Sequence, residues 1–246
     1  MVRISIITVA YNSKDCIGDT IRSVLTQTDP PAEYWIIDGA STDGTVREAE
    51  SFRTALEERG IEYHVVSEPD GGIYDAMNKG IRLAGGEVIG ILNTGDTYEP
   101  GTLKTAAETF ERKGCDLMFA DIRVIRRDGT SFIKKARLRK FQTSRDWNHP
   151  TMFVRAQLYK ENPFLNKGIH DDYGFFLKMR RQDRKVAVAD KVLANFKMGG
   201  ASNRKDINAA KKRIRDRYLY CYRANGYSRW YLAECVLIEA AKWVMG

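Results

Sequence analysis

The sequence predicts an α/β fold: a mainly parallel sheet flanked by helices, followed by a C-terminal helical appendage. Short apolar, β-branched runs alternate with segments of helical periodicity through the first half of the chain, and this alternation is typical of strands joined by crossover helices. The runs are apolar on both faces, as in buried parallel strands. Polar residues follow successive strands, at the edge of such sheets where ligands bind.

The first half of the chain is predicted to contain four strands and three helices in alternation. Residues 12–15 can open the first helix, and the polar residues 41–43 can cap the second. The predicted strands cover 3–9, 33–38, 62–67 and 87–92, and the second and third helices cover 45–59 and 73–83.

The second half is less regular. Residues 115–135 indicate two strands joined at the turn dipeptide Asp128-Gly129. A helix over 171–182 and a strand over 185–198 follow, and a basic helical segment is broken near residues 224–228. The predicted division is a domain of residues 1–203 and an appendage of residues 204–246.

Composition limits the class of protein. The 246 residues are 43% hydrophobic and 29% charged, which fits one large globular domain or a domain with an appendage. No signal peptide or membrane-spanning run is recognisable, and the four cysteines lie far apart without a C-x-x-C pair. We therefore expect a reduced, cytoplasmic protein without a structural zinc site or disulfide framework.

The net charge of +8 is unevenly placed. Residues 123–145 hold nine Lys or Arg against one Asp, and residues 204–246 hold ten against four Asp or Glu. Such regions attract phosphates in nucleic acid, anionic lipid or a phosphorylated substrate. A solvated, solubilising surface explains either region equally well, so the pattern alone does not decide.

Two carboxylates end apolar strands. Asp96, at the end of "VIGILNTGD", can hold Mg²⁺ or Mn²⁺ through hard oxygen contacts, or can cap the next helix. Asp38 can accept a hydrogen bond from a nucleobase or ribose, or can form a turn before Gly39. Neither G-x-G-x-x-G nor G-x-x-x-x-G-K-[ST] occurs, so a dinucleotide fold and a P-loop gain no support.

Asp171 and Asp172 are adjacent in "HDDYGFFLKMRR". Close carboxylates repel each other, so one can carry a raised pKa and act as a general base. Capping of the following helix is the alternative, since a helix N-terminus favours anions. His64, His149 and His170 lack H-x-x-x-H spacing, which gives no support to a catalytic zinc centre.

Six motifs taken together resemble family 2 glycosyltransferases of the GT-A fold. Each motif is weak alone, but their order is specific, and the likeness covers roughly residues 3–203. The nearest resemblance is to bacterial enzymes that build colanic acid, O-antigen or capsule repeat units. The motifs, in chain order, are "SIITVAYN", "WIIDGASTDGT", "SEPDGGIYDAMNKG", "ILNTGD", "HDDYGFFLKM" and "FKMGGASN".

The resemblance implies a role for each motif. Asp96 matches the metal-coordinating carboxylate of the D-x-D motif, and Asp172 matches the general base of inverting members. The residues implied to hold the nucleotide are Thr8, Tyr11, Asp38, Asp70 and Asp75, with Tyr11 placed to stack on uracil. The residues implied on the acceptor side, or elsewhere in the site, are Asn93, His149, Asp171, Gly199 and Gly200.

The chain departs from the family pattern at two positions. Asn93 and Gly95 flank Thr94 where many members have D-x-D, which leaves Asp96 as the only carboxylate. We therefore expect metal affinity to depend on a bound diphosphate. Met77 stands where many relatives carry an arginine that contacts phosphate.

The implied reaction is transfer of a sugar from a nucleotide-sugar, by resemblance a UDP-sugar, to a saccharide hydroxyl. The resemblance further implies a divalent cation (Mn²⁺ or Mg²⁺), inversion at the anomeric carbon, and an acceptor on polyprenyl pyrophosphate at the inner membrane face. Residues 123–145 could meet that pyrophosphate. A catalytically silent relative that only binds sugar nucleotide is the alternative. A basic nucleic-acid-binding protein is less favoured, because no nucleic-acid-binding motif is recognisable.

The tail, residues 228–245, mixes tryptophans with apolar residues after a basic stretch. Its composition suits a peripheral position in a membrane interface. Packing against the catalytic domain or against a second subunit, which would make a homo-oligomer, is the alternative.

Overall fold

The strands form one mixed sheet in a computed structural model that describes residues 2–198 and 206–245, and side chains only as far as 241. Among these residues the strands are β1 (Ile4–Ala10), β2 (Glu33–Asp38), β3 (Glu62–Ser67), β4 (Val88–Ile91), β5 (Thr97–Tyr98), β6 (Leu117–Ile125), β7 (Ser131–Lys134), β8 (Phe153–Arg155) and β9 (Val186–Lys197). Their order is β3-β2-β1-β4-β8-β6-β9-β5, with β7 paired to β6.

Helices cover both faces of the sheet, as predicted. They are α1 (Lys14–Leu25), α2 (Thr45–Glu50), α3 (Arg53–Glu58), α4 (Ile73–Leu83), α5 (Thr102–Lys113), α6 (Ala156–Glu161), α7 (Asp171–Arg181), α8 (Ile207–Asp216) and α9 (Tyr231–Met245). A π-helical turn, Arg217–Tyr222, continues α8. The predicted helix over 45–59 is wrong in one respect, since it is two helices. The Ser51 hydroxyl donates to the Glu48 carbonyl oxygen, and this local bond competes with the regular helical pattern.

The first four strands are parallel, and they bring their carboxyl ends to one edge. Ala10 pairs with Asp38, and Asp38 pairs with Ser67, so β1, β2 and β3 end level with one another. Both faces of these strands are buried: Ile6 packs into the apolar layer beside α1, and Ile7 packs into the layer beside α4. Strand β8 runs antiparallel to both β4 and β6, which makes the sheet mixed.

The C-terminal helices pack against α7. The Tyr173 and Tyr222 hydroxyls lie 3.1 Å apart, and the Asn225 amide donates to the Gly174 carbonyl oxygen. Cys235 on α9 is fully buried in the same apolar layer as α7. The division at residue 203 stays a prediction, but the described part of the tail shares a core with the preceding domain. Among the described residues, none of the helices has the length and apolar character needed to cross a bilayer.

A buried ion pair joins α8 to α9. Arg213 Nη2 lies 2.7 Å from Glu239 Oε2, and Arg217 Nη2 lies 3.6 Å from Glu239 Oε1. All three side chains are at least nine-tenths buried. Because buried charges need a charged partner, the position of α9 depends on this carboxylate.

We expect Glu239→Gln to lower the free energy of unfolding by about 3 kcal/mol, because two buried guanidinium groups lose the charge opposite them. Urea denaturation followed by circular dichroism measures this. Glu58→Gln, at an exposed position of α3, is the control and should change little. If α9 unfolded separately while the midpoint of the main unfolding transition stayed unchanged, the result would contradict a core shared by the tail and the preceding domain.

Candidate active site

A cavity of about 790 Å³ opens at the carboxyl edge of the sheet. The ends of β1, β4 and β9 contribute to its wall, together with the first turns of α4 and α7. Half of the twelve site residues that the sequence singled out are brought together here. The predicted site residues that line it are Tyr11, Asp70, Asn93, Asp96, His149 and Asp172.

Asp96 sits on a tight turn after β4. Gly95 adopts φ +92°, a left-handed conformation that favours glycine, and the Asp96 N–H donates to the Asn93 carbonyl oxygen (3.1 Å). Thr20 on α1 holds the turn from below: its hydroxyl donates to the Asp96 carbonyl oxygen (2.8 Å) and accepts from the Gly95 N–H (3.0 Å). The carboxyl group is therefore presented from a fixed backbone.

The Asp96 side chain is in an unusual electrostatic state. The residue is only 6% exposed, and burial raises its pKa to about 8, against a smaller opposing effect from Lys197. The buried Asn93 Oδ1 accepts no hydrogen bond from the described residues. A buried carboxyl group and an unsatisfied amide oxygen are hard oxygen donors that a divalent cation would satisfy.

The two donors fit a cation whose remaining ligands come from elsewhere. Within residues 2–198 and 206–245, no group of three or more His, Cys, Asp or Glu side chains is arranged to hold a metal. Mg²⁺ and Mn²⁺ typically take one or two protein carboxylates when phosphate oxygens complete the shell. The site thus suits a metal bound together with a diphosphate.

Tyr11 and Asp70 both line the cavity and lie near Gly39. Tyr11 is 67% exposed at the rim. Asp70 accepts a hydrogen bond from the Gly72 N–H (2.9 Å), and a Cβ at Gly39 would lie 2.6 Å from Asp70 Oδ2. Only glycine lets the end of β2 approach this carboxylate so closely. An exposed ring beside a carboxylate is suited to holding a nucleobase and ribose.

Three residues implied to bind the nucleotide do not line the cavity. Thr8 is fully buried, and its hydroxyl lies 3.0 Å from that of Tyr34. The Asp38 carboxylate accepts from the hydroxyls of Ser41 and Ser67. Asp75 accepts from the Gly71 N–H and shapes the loop before α4. Their contact with a nucleotide stays a prediction, and the contacts seen are internal.

Asp172 is held at the start of α7. Its Oδ1 accepts from the Tyr74 hydroxyl (2.9 Å) and from the Tyr173 N–H (2.8 Å). Its Oδ2 lies 3.2 Å from His149 Nδ1, at an angle that does not make a hydrogen bond. Burial lowers the pKa of His149, against the attraction of Asp172, so the ring is neutral at pH 7. Asp172 Oδ2 can therefore accept a proton from a ligand in the cavity.

The neighbouring carboxylate has a different position. Asp171 is 8% exposed, and its Oδ2 accepts from the Lys167 N–H (2.9 Å). Burial raises its pKa. Successive helical residues point about 100° apart, so Asp172 faces the cavity while Asp171 secures the preceding loop. Gly199 and Gly200, implied on the acceptor side, lie outside the described residues.

Tyr74 and Lys197 line the cavity but were not predicted from the sequence as site residues. Tyr74 bonds Asp172 from the first turn of α4, and Lys197 lines the cavity at the end of β9. Tyr74 stands inside a motif that the sequence did single out, so its place there was the available signal. Lys197 likewise stands inside a motif that the sequence singled out, "FKMGGASN", but β9 lies far along the chain from Asp96, so its place beside that carboxyl group was not predicted.

The basic segment 123–145 is partly neutralised within the fold. Lys134 is half-buried, and its Nζ donates to the Ser144 and Trp147 carbonyl oxygens. Burial lowers its pKa to about 8. Lys135 pairs with Asp121 and Asp190, each at 2.7 Å. Fewer charges than the sequence count are therefore available to a ligand.

Solved structures of similar fold confirm the predicted GT-A architecture. S. aureus TarS in complex with UDP-GlcNAc aligns with a TM-score of 0.64 at 19% identity, over 98% of this chain and 72% of that one. Mannosyltransferase PcManGT from Pyrobaculum calidifontis, in complex with GDP-Man and Mn²⁺, aligns with a TM-score of 0.66 at 17% identity, over 99% and 74%. At these identities the likeness concerns the fold.

Relatives found by sequence have a higher identity to this chain than these structures have, but the matches cover less of the chain. A Bacillus subtilis protein named as a teichuronic acid biosynthesis glycosyltransferase, TuaG, is 34% identical over 132 residues, 53% of this chain and 51% of its own length. A PGL/p-HBAD biosynthesis glycosyltransferase of Mycobacterium bovis is 32% identical over 157 residues, 63% and 60% respectively. The chain spans about half the length of the curated relatives that it matches.

The family assignment rests on a longer match. The family model described as "Glycosyl transferase family 2" matches residues 5–186, which contain the turn of Asp96 and the start of α7 with Asp172. This confirms the resemblance drawn from the ordered motifs. The chain belongs to glycosyl transferase family 2.

Proposed function

We propose that the chain transfers a sugar from a UDP-sugar to a saccharide hydroxyl, with inversion at the anomeric carbon. The observation that carries the proposal is that one cavity holds Asp96, suited to a metal-bound diphosphate, and Asp172, suited to deprotonating an acceptor. Binding of UDP-GlcNAc by TarS, a protein of the same fold, supports a uridine donor.

The donor lies along the carboxyl edge of the sheet in this proposal. Tyr11 stacks on the base, Asp70 faces the ribose, and Asp96 with Asn93 holds Mn²⁺ or Mg²⁺. The bound cation would neutralise charge that develops on the diphosphate leaving group. Thr20 and Gly95 keep the turn rigid, so the carboxylate needs no rearrangement when the donor binds.

Asp172 activates the acceptor. Its Oδ2 takes the proton of the acceptor hydroxyl while that oxygen forms a bond to the anomeric carbon and the bond from that carbon to the diphosphate oxygen breaks. Oδ1 is fixed by Tyr74 and by the Tyr173 N–H, so Oδ2 is the oxygen left to act as base. Attack opposite the leaving group inverts the centre, and an α-linked donor gives a β-glycoside. General-base assistance contributes about 10²–10⁴-fold.

The acceptor is proposed to be carried on polyprenyl pyrophosphate. The naming of the Bacillus subtilis relative for teichuronic acid biosynthesis supports an acceptor from cell-envelope polymer synthesis. Arg137, Lys140 and Arg145 are among the exposed cations of the basic segment, and we propose that they meet the pyrophosphate.

We expect Asp172→Asn to lower kcat for transfer by about 10²–10⁴-fold with little change in donor affinity, because it removes only the base. UDP release from a panel of UDP-sugars, with and without acceptor, measures this. Asp171→Asn is the matched control and should retain activity, since the adjacent carboxyl group does not line the cavity. Equal losses in both variants would contradict the assignment of the base.

We expect Mn²⁺ affinity in the presence of UDP to rise with pH and level off near pH 8. The pKa of Asp96 is raised to about 8 in the free protein, so metal competes with a proton below that pH. The affinity should fall by up to about tenfold per pH unit as the pH is lowered. Titration followed by electron paramagnetic resonance measures bound Mn²⁺.

Asp96→Asn should abolish this pH dependence and most Mn²⁺ binding. Asp128→Asn, at the exposed turn between β6 and β7, is the control and should behave as the natural chain. Undiminished Mn²⁺ binding in Asp96→Asn would place the metal elsewhere.

We expect Tyr74→Phe to lower kcat by about tenfold with unchanged donor affinity, because Asp172 loses the hydroxyl that orients it. Tyr63 lies on β3, outside the cavity, and Tyr63→Phe serves as the control because it removes a buried hydroxyl that donates to the Ala49 carbonyl oxygen on α2. Steady-state kinetics for transfer separate kcat from KM. Equal effects of the two substitutions would mean that Tyr74 acts only through stability.

A further inference from the structure

Helix α9 has its apolar side turned outward. Leu232, Val236 and Leu237 are 43%, 47% and 68% exposed, and they lie on one helical stripe. Trp230, just before the helix, is 86% exposed. Glu239 is instead buried, between Arg213 and Arg217. A surface helix ordinarily has the reverse arrangement, so this face is built to contact something apolar.

The charges around this face are of one sign. Among residues 206–241, Asp206 is the only exposed carboxylate, because Asp216 and Glu239 are buried and Glu234 is largely covered. The exposed cations of the same stretch are Lys211, Lys212, Arg215, Arg223 and Arg229. An apolar stripe surrounded by cations is complementary to a partner that has an apolar interior and an anionic surface layer.

A second segment, distant in sequence, lies beside the start of α9. In the loop of residues 137–143, cations alternate with the exposed side chains Leu138 (41%) and Phe141 (73%). The Gln142 backbone N–H faces the Tyr231 hydroxyl, and the Ser144 N–H faces the Glu234 carboxylate. We call the exposed apolar and basic side chains of this loop and of residues 229–240 the tail surface.

We propose that the tail surface docks the protein on a lipid bilayer that carries anionic headgroups. Tryptophan and aliphatic side chains enter the boundary between headgroups and acyl chains, and the surrounding cations attract the anionic lipid. A second copy of this chain is a poorer partner, because a symmetric contact through this face would bring like charges together.

Docking in this way would fix the acceptor side of the cavity relative to the bilayer. A series of packed aromatic rings leads from the cavity to the tail surface. The distances between ring centroids are 5.9 Å for His149 and Trp147, 5.4 Å for Trp147 and Tyr173, and 4.2 Å for Tyr222 and Tyr231. The ring centroids of Tyr173 and Tyr222 lie 5.8 Å apart and complete the series. Packed aromatic rings make a rigid connection.

Co-sedimentation of the full chain with vesicles tests the proposal. We expect binding to phosphatidylglycerol vesicles that exceeds binding to phosphatidylcholine vesicles and weakens as salt is added. Leu237→Glu should lower the partition coefficient by at least about tenfold, because a charge replaces an apolar side chain that would enter the bilayer boundary. Arg229→Ser should lower it by about fivefold for the anionic vesicles alone.

Leu83→Glu is the matched control. Leu83 is 43% exposed at the last turn of α4, away from the tail surface, and its substitution should leave vesicle binding unchanged. Thermal unfolding of each variant confirms folding. Absence of vesicle binding, or equal binding by Leu237→Glu, overturns the proposal, as does a dimer in sedimentation velocity that Leu237→Glu dissociates. Because the assay requires no turnover, its outcome is independent of the proposed transferase activity.

Discussion

A carboxyl group buried at the end of a strand is the constraint around which the cavity is organised. Burial raises the pKa of Asp96 to about 8, so the isolated protein holds it as an acid at neutral pH. A divalent cation would displace the proton and also satisfy the amide oxygen of Asn93. Thr20 fixes the turn through two hydrogen bonds. The turn therefore has a fixed shape that suits the proposed cation and its diphosphate.

A hydrogen bond between Tyr74 and Asp172 joins the two halves of the site. Tyr74 belongs to α4, which lies between the parallel strands β3 and β4, whereas Asp172 opens α7 in the second half of the chain. Packing of this kind holds the proposed donor and acceptor sides of the cavity in a fixed relative position. The neutral ring of His149 borders Asp172, the proposed base, and the tail helices pack behind α7.

Local sequence patterns were sufficient to predict the first half of the fold and the residues proposed to carry out the reaction. Strands β2 and β3 and helix α4 have the bounds that their apolar patterns predicted, and Asp96 and Asp172 both reach the cavity. The placement of Thr8 and Asp38 could not be foreseen, because side-chain burial depends on partners distant in sequence. For the same reason the hydrogen bond of Tyr74, the position of Lys197 and the internal pairing of Lys135 required the folded structure.

Anomalous diffraction from crystals grown with UDP and Mn²⁺ tests the central claim most directly. The account places the manganese peak in direct contact with an Asp96 carboxylate oxygen and with the diphosphate, with the uracil ring beside Tyr11. A manganese peak bound elsewhere, or UDP bound outside this cavity, would contradict it.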